Sequence, residues 1–407
     1  MQQVQLTLDA APHCLEPEPL AEILVRRSAV AIPPFSITAD LDSLENEWRG
    51  FERHADCTPF QTFDWLSIWQ RCIGACAGVT PVIVLARREC GDLLFILPLA
   101  VERTGHLRKL TFLGHALCDY NAPLLAPEFS RDISPAAFAK FWKAARARLG
   151  QTYKHDIVLF DKMPERIGAQ ANPMLALATM LNPAGAHATA LGNDWGQFYS
   201  QKRSSATRRK DRKKRKKLTE FGEVHFITAM TPQAARETLT ALVAQKSQKF
   251  QRMGMPDLFA KLGYVEFFAS VAANARSLVH VSALQLGSTC AAANLGLTFR
   301  GCYYHILTSY AEGPAAHFGP GVSHLQELMR YAIEKGCTRF DFTIGDEPYK
   351  LDWSDTKVDL YDHVSGVRLL GHIGAAVISA AFRIKRFIKN SPVIWRSFCW
   401  LRSAFGS

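Results

Sequence analysis

"HFGPGVSHLQELMRYAIEKGCTRFDFTIGDEPYK", residues 317–350, decides the fold. It opens on a glycine loop, Gly319-Pro320-Gly321, and runs into a helix predicted from about Ser323 to Lys335. A strand follows, in which "RFDF" alternates apolar and polar residues. The strand leaves through "IGDEPYK", so Asp346, Glu347, Tyr349 and Lys350 gather at its exit. A helix N-terminus leaves backbone N–H groups unpaired and carries the positive end of a dipole, which suits a pyrophosphate. Glycines let a ligand approach the backbone closely, and Gly319, Gly321, Val322 and Ser323 are the residues placed to do this. The bland alternative is a loop that only caps its helix. At the strand exit, the acids and the lysine can order one another, position a substrate or hold a phosphate. A lysine ammonium can also stabilise charge developing on a transferred acyl oxygen. The alternative there is a solvated turn with an incidental ion pair.

Upstream, three strands meander: "SLVHVSALQLG", "STCAAANLGLTF" and "GCYYHILTSYAE", with turns at Gly287-Ser288 and Arg300-Gly301. His305 lies within the third. Its titration range suits a base, although a lone strand histidine is more often structural. Before the meander come a strand, "EVHFITA", and a long helix with Thr231 as N-cap and Pro232 in its first turn. A second helix covers roughly 265–275. The first half reads similarly. "LDSLENEWRGFER" and "TPFQTFDWLSIWQRCIG" have helical spacing. "PVIVLARRE" and "LLFILPLAVER" form a hairpin about Gly91-Asp92, "LRKLTFLG" is a third strand, 135–149 a helix and "HDIVLFDKM" a strand. Asp64-Trp65-x-x-Ile68-Trp69 and Asp194-Trp195-x-x-Phe198-Tyr199 echo one another, each opening a helix.

The 407 residues carry a formal net charge of +11, unevenly spread. "QKRSSATRRKDRKKRKK" (201–217) holds eleven cations and one acid, Asp211. The segment from Arg368 to Ser407 holds seven cations and no acid, so the rest of the chain is net acidic. A general nucleic-acid binder spreads its cations over a folded face, and neither a DNA-reading helix nor an RNA-stacking aromatic signature accompanies the run. Sequence-specific nucleic-acid recognition is not expected. The run reads either as a solvated helix or as a contact for an anionic surface: a membrane, a lipid pyrophosphate, an acidic glycan or tRNA. The tail, with Trp395 and Trp400, is too short in apolar residues to span a bilayer, yet suits an interfacial helix or one packed on the domain. The ten cysteines are scattered without paired spacing, so neither a zinc site nor a disulfide framework is indicated. The first residues lack the pattern of a secretory signal. A cytoplasmic location is expected, with peripheral attachment at the inner face of the membrane as an option.

In order, "PFQTFDWLSIW", "LLFILPLAVER", "CDYNAPLL" (118–125), "SSATRRKDRKKRKKLTEFG", "GPGVSHLQELMRYAIEKG" and "FDFTIGDEPYK" resemble the GNAT-like acyltransferases of the CelD/FemAB type, over roughly residues 40–365. The resemblance implies an α+β protein of two tandem GNAT-like domains, with mixed, mainly antiparallel sheets flanked by helices. The expected division is a leader (1–35), an N-terminal domain (36–190), a C-terminal acyltransferase domain (191–367) and a basic tail (368–407). By the match to the Tyr/Phe-Lys element of Fem-type transferases, Lys350 falls in the acyl-transfer site, with Tyr349, Glu347 and Asp346 as neighbours. Asp119 and Tyr120 match a recurrent Asp-Tyr of the first domain and, with His305, are assigned to the substrate. The usual GNAT phosphate loop is absent, "HFGPGVSH" standing in its place.

The activity implied is an acetyl-CoA-dependent N-acetyltransferase, with an amino sugar or an envelope or exopolysaccharide precursor as acceptor. The Fem branch implies another donor, aminoacyl-tRNA. A third reading is a non-catalytic protein that binds glycan or nucleic acid. No Ser/His/Asp ordering suggests a covalent nucleophile, so direct attack of the acceptor on a bound thioester is the simpler route.

Overall fold

Two sheets built to one plan organise the chain in the computed structural model, which describes residues 32–390. In the first half, β1 (Phe35–Thr38), β2 (Thr80–Arg87), β3 (Leu93–Thr104) and β4 (Leu107–Phe112) run antiparallel in succession. Helices α1 (Glu45–Glu52) and α2 (Phe63–Trp69) sit between β1 and β2. The short β5 (Leu124–Leu125) pairs with β3. Helices α3 (Phe129–Asp132) and α4 (Pro135–Thr152) then cross over to β6 (Ile157–Pro164), which lies parallel to β4. Ser134 caps α4, its hydroxyl accepting from the Ala137 amide, with Pro135 at the first position. Hairpin β7 (Arg166–Ile167) and β8 (Gln170–Ala171) and the edge strand β9 (Met180–Leu181) complete this half.

The second half repeats the plan. After β10 (Ala186–Ala190), α5 (Trp195–Lys202) and the basic α6 (Ser205–Leu218) come β11 (Val224–Thr228), α7 (Pro232–Arg252) and α8 (Tyr264–Asn274). The N-caps are Asp194, Ser204 and Thr231 for α5, α6 and α7, each accepting from an amide in the first turn. The meander is β12 (Val279–Leu286), β13 (Thr289–Phe299) and β14 (Cys302–Tyr310). Helix α9 (Pro320–Glu334) crosses over to β15 (Arg339–Ile344), parallel to β14. The two halves are copies of one arrangement: a meander, a helical crossover and a parallel strand. The sequence echo at Trp65 and Trp195 does not mark it: α2 lies between β1 and β2, whereas α5 precedes β11, the counterpart of β1.

The sheets trade strands at their ends. Strand β10 pairs with β15 and with β16 (Thr356–Val358) in the second sheet. Strand β17 (Leu360–Gly366) returns to the first sheet and pairs with β6 and β9. Neither β10 (AHATA) nor β17 (LYDHVSG) stood out in the sequence, because neither carries a run of large apolar residues and each gains its partners only through this exchange. One hydrophobic core spans both halves: the Trp65 ring of α2 meets Phe267 of α8 edge-to-face, centroids 4.9 Å apart. The last described helix, α11 (Leu369–Asn390), follows β17. The sequence readings of residues 1–31, and of Trp395 and Trp400, lie outside the described residues.

Candidate active site

The parallel pairing of β14 with β15 covers only Cys302↔Arg339, Tyr303↔Phe340 and Tyr304↔Asp341. Beyond these residues the strands separate, while β15 stays paired along its other edge with β10, across a register shift at His187/Ala188. The wedge between them holds a cavity of about 300 Å³. His305, Thr308 and Tyr310 line it from β14, and Gly319, Gly321 and Val322 from the start of α9. Tyr349, Asp352 and Trp353 close it from the segment after β15, with Arg203 at its side. Helix α9 begins at Pro320, ahead of the expected Ser323, because Gly319 takes a left-handed conformation (φ 67°) and Pro320 fixes the first turn. Among the described residues, five of those singled out from sequence therefore share one cavity: Gly319, Gly321, Val322, His305 and Tyr349.

The rest are distributed around it. Ser323 turns away: its hydroxyl accepts from Arg215 of α6 at 2.7 Å. Lys350, on the one-turn helix α10 (Pro348–Leu351), is buried behind Tyr349. Its ammonium donates to the carbonyl of Ile344 at 2.7 Å and pairs with Glu347 at 3.0 Å. Glu347 is exposed and can swing away. Asp346 faces outward instead, accepting from Lys389 of α11 at 3.1 Å and lying 3.2 Å from His187 Nε2. Burial opposes its charge, but these two partners outweigh burial and hold its carboxyl below the usual range.

Asp119 and Tyr120 reach the second half from the loop after β4. Burial raises the Asp119 carboxyl, while Lys162, Thr343 and Lys350 pull it the other way. The Tyr120 hydroxyl donates to Asp341 Oδ1 at 2.7 Å, and both residues are buried. The same Oδ1 accepts the Thr343 amide at 2.8 Å. That bond helps hold Thr343, a β-branched residue, at φ 59°, a conformation that costs roughly 1–3 kcal/mol. On the far side, Tyr120 and Asp341 line a larger cleft of about 700 Å³, with Tyr304, Arg166, Arg300 and Arg339.

The basic helix is partly built in. Its one acid, Asp211, accepts from Tyr199 and Gln326. Arg215 pairs with Glu327 of α9 at 2.8 Å. Just before α6, Arg203 pairs with Asp352 and stacks over Trp353. The Lys214 ammonium lies beside Gly319, where a Cβ would come within 3.9 Å of it. Arg209, Lys210, Arg212, Lys213, Lys216 and Lys217 face solvent. The start of α9 is thus flanked by fixed cations, with a free cationic face outside them.

Three further residues were not singled out from sequence. Lys246 of α7 is lowered to about 8, by burial first and then by Lys249 and Lys350. Together with Lys350 it acts on His305, whose burial and cationic neighbours push it down to about 3, so the imidazole is neutral. His305 Nε2 has no hydrogen-bond partner. Lys246 sits in "AQKSQKF", which reads as an ordinary solvated helix face. Asp341 and Thr343 were readable only as parts of "RFDFTIG". The available signal was an acid flanked by Phe340 and Phe342 in a strand buried on both faces.

Residues 205–351 match the family described as acetyltransferase (GNAT) domain. That segment is similar to a GNAT acetyltransferase domain. The GNAT assignment covers α6 through α10, so the cavity, the basic helix and Lys350 all fall inside the matched segment or at its border. Over 77% of this chain and 95% of that one, the fold is similar to that of FemX, at 12% identity and a TM-score of 0.54. Two further similar structures are a conserved protein of unknown function from Bacteroides thetaiotaomicron (11% identity, TM-score 0.48, 81% of this chain and 98% of that one) and L-PGS from Bacillus licheniformis (12%, 0.46, 81% and 98%). Comparison with curated proteins gives no match. The matched segment and the FemX-like fold agree with the expected α+β architecture of two sheets flanked by helices.

Proposed function

We propose that the enzyme is an acetyl-CoA-dependent N-acetyltransferase acting on an amino sugar or an envelope-polysaccharide precursor. The observation that carries this is the cavity at the start of α9. At about 300 Å³ it lies at the small end of ligand pockets, roughly 300–1,000 Å³, which suits an acyl-bearing arm with its anionic end outside. Gly319 and Gly321 offer backbone approach, the α9 N-terminus offers the Gly321 N–H while the Val322 and Ser323 amides donate to the Gly319 carbonyl, and Lys214 and Arg203 supply cations for the phosphates. Acetyl-CoA would supply the activated acyl group.

The chain's own residues divide the remaining work. Asp119, a carboxyl raised by burial and next to Lys350, is the proton acceptor for the attacking amine, because a raised pKa makes it the stronger base. Neutral His305, its Nε2 free, positions the reacting groups at the cavity wall. The Lys350 ammonium, once Glu347 swings out, faces charge developing on the carbonyl oxygen. The larger cleft, with Tyr120, Tyr304 and three arginines, has the mixed aromatic and polar lining that a sugar acceptor uses.

A second donor, aminoacyl-tRNA, is favoured by one observation. The free cationic face of α6 exceeds what one pyrophosphate needs, and polyanions are held by such faces. Titration of the protein with acetyl-CoA, with CoA and with aminoacyl-tRNA, followed by thermal unfolding, tests both. Stabilisation by the CoA species supports the first reading and stabilisation by charged tRNA alone supports the second. A melting temperature that none of them moves overturns both.

A further inference from the structure

Helix α11 is apolar on two opposite faces. Gly371, Ala375, Ile378 and Phe382 face the protein. At Gly371 the helix presses so closely on β6 that a Cβ there would collide with the carbonyl of Asp156. At ~100° per residue, Leu370, Ile373, Val377, Ile384 and Phe387 form a stripe on the opposite side. All five are open to solvent; Val377 is 63% exposed and Phe387 67%. Arg383 and Lys385 border the stripe, one on each side, and Arg386 lies beyond. The helix contains no acid, and the sequence after it, 391–407, adds Arg396 and Arg402 and again no acid. Among the described residues no helix is long and apolar enough to cross a membrane.

We infer that this face of α11 lies in the surface of an anionic bilayer, its stripe among the acyl chains and its cations at the headgroups. The charge pattern selects this occupant. An apolar stripe bordered only by cations matches anionic headgroups, each Lys or Arg near such a surface adding to binding. A second copy of the chain meeting the same face would set Arg383, Lys385 and Arg386 against their own equivalents, since a two-fold contact is self-complementary.

The far end of the helix carries the consequence. Lys389 pairs with Asp346 at 3.1 Å, and Asp346 also contacts His187. The membrane-facing helix therefore ends on the loop that leads into Tyr349 and Lys350. Resting on the acyltransferase reading, this placement fits an acceptor that is itself held at the bilayer surface.

Flotation of the full chain with vesicles tests the inference. The protein is expected to float with vesicles of phosphatidylcholine plus phosphatidylglycerol, to be released by high salt, and to stay behind with phosphatidylcholine alone. The double variant I384E/F387E is expected to lower partitioning at least ~10-fold with its melting temperature kept, because both side chains are already exposed in the free protein. R383Q/K385Q/R386Q is expected to weaken binding and erase the dependence on phosphatidylglycerol. Absence of flotation with either vesicle, equal flotation with both, or indifference to I384E/F387E overturns the inference. So does a wild-type dimer, seen by light scattering, that I384E/F387E converts to monomer without any vesicle binding. Thermal stabilisation by acetyl-CoA is read separately, so failure of the surface and failure of the donor pocket are distinguishable.

Discussion

The hydroxyl of Tyr120 donates to the carboxylate of Asp341 over 2.7 Å across 221 residues of sequence, joining the loop after β4 to strand β15 of the second sheet. Both groups are almost wholly buried, at the wall of the larger cleft. Tyr120→Phe is expected to cost about 1–3 kcal/mol of unfolding free energy, because it leaves a buried acceptor short of a donor. Denaturant unfolding measures this. An unchanged midpoint would mean that the two halves are held together by the apolar core alone.

Asp119 stands beside Lys350 and Thr343 without lining the donor cavity. Asp119→Asn removes a proton acceptor and leaves the shape. Its expected signature is a kcat lowered by ~10²–10⁴-fold with donor binding unchanged. A loss confined to KM would assign Asp119 to substrate positioning.

Val322 lies at the mouth of the donor cavity with 41% of its surface exposed, so a larger side chain there need not disturb the core. Val322→Trp is expected to abolish stabilisation by acetyl-CoA and to leave the melting temperature of the free protein within about a degree, since surface changes usually stay within ~0.5 kcal/mol. Retained stabilisation would move the donor elsewhere.

Reversing charge at the start of α9 tests the fixed cations. Lys214→Glu is expected to weaken donor binding about tenfold at low salt and to flatten its salt dependence, because exposed charge interactions are screened beyond ~10 Å at 0.1 M salt. Lys213→Glu, on the exposed face, separates the donors: it leaves acetyl-CoA binding unchanged, whereas a tRNA donor would be weakened too.

Much of this site was legible in local sequence. The order of meander, glycine loop, helix and strand is a consecutive pattern, and periodicity exposes such patterns directly. The glycine loop was legible although α9 starts at Pro320, three residues before the expected Ser323, and Tyr349 and His305 converge on the cavity because β14 and the segment after β15 flank one wedge. What stayed hidden depends on distant partners. Ser323 looked like part of a ligand loop, yet its hydroxyl is used by Arg215, 108 residues away. Asp346 looked like a neighbour of the lysine, yet Lys389 and His187 draw it outward. The basic run looked like a uniform polycation, yet Asp211, Lys214 and Arg215 face α9 while the others face water. Strands β10 (AHATA) and β17 (LYDHVSG) carry too few large apolar residues to stand out before they pair across the halves.

The loop that delivers Asp119 and Tyr120 is fastened by His115. Its Nε2 lies 3.2 Å from Glu102 of β3, and its Nδ1 lies 3.7 Å from Asp161 of β6. Lys109 also pairs with Glu102, and Lys162 donates to the carbonyls of His115 and Cys118. Burial alone would lower the imidazole's pKa, but Asp161 and Glu102 overcome it and raise it from 6.5 to about 9. A group whose pKa is raised on folding binds its proton more tightly in the folded state. Its contribution to stability is therefore complete below pH 6.5 and is lost as pH climbs through about 9. The same cluster acts in reverse at low pH. Burial pushes the Glu102 carboxyl up, yet His115 and Lys109 bring it down to about 2, so that contribution holds above 4.5 and fades as pH falls through 2. The wild-type melting temperature is expected to decline between pH 6.5 and 9, and His115→Asn to start lower and to show little of that decline. Because the cluster anchors the loop bearing Asp119, turnover of the wild type should fall over the same alkaline range. A variant that keeps the wild-type slope would show that His115 is not the group being titrated.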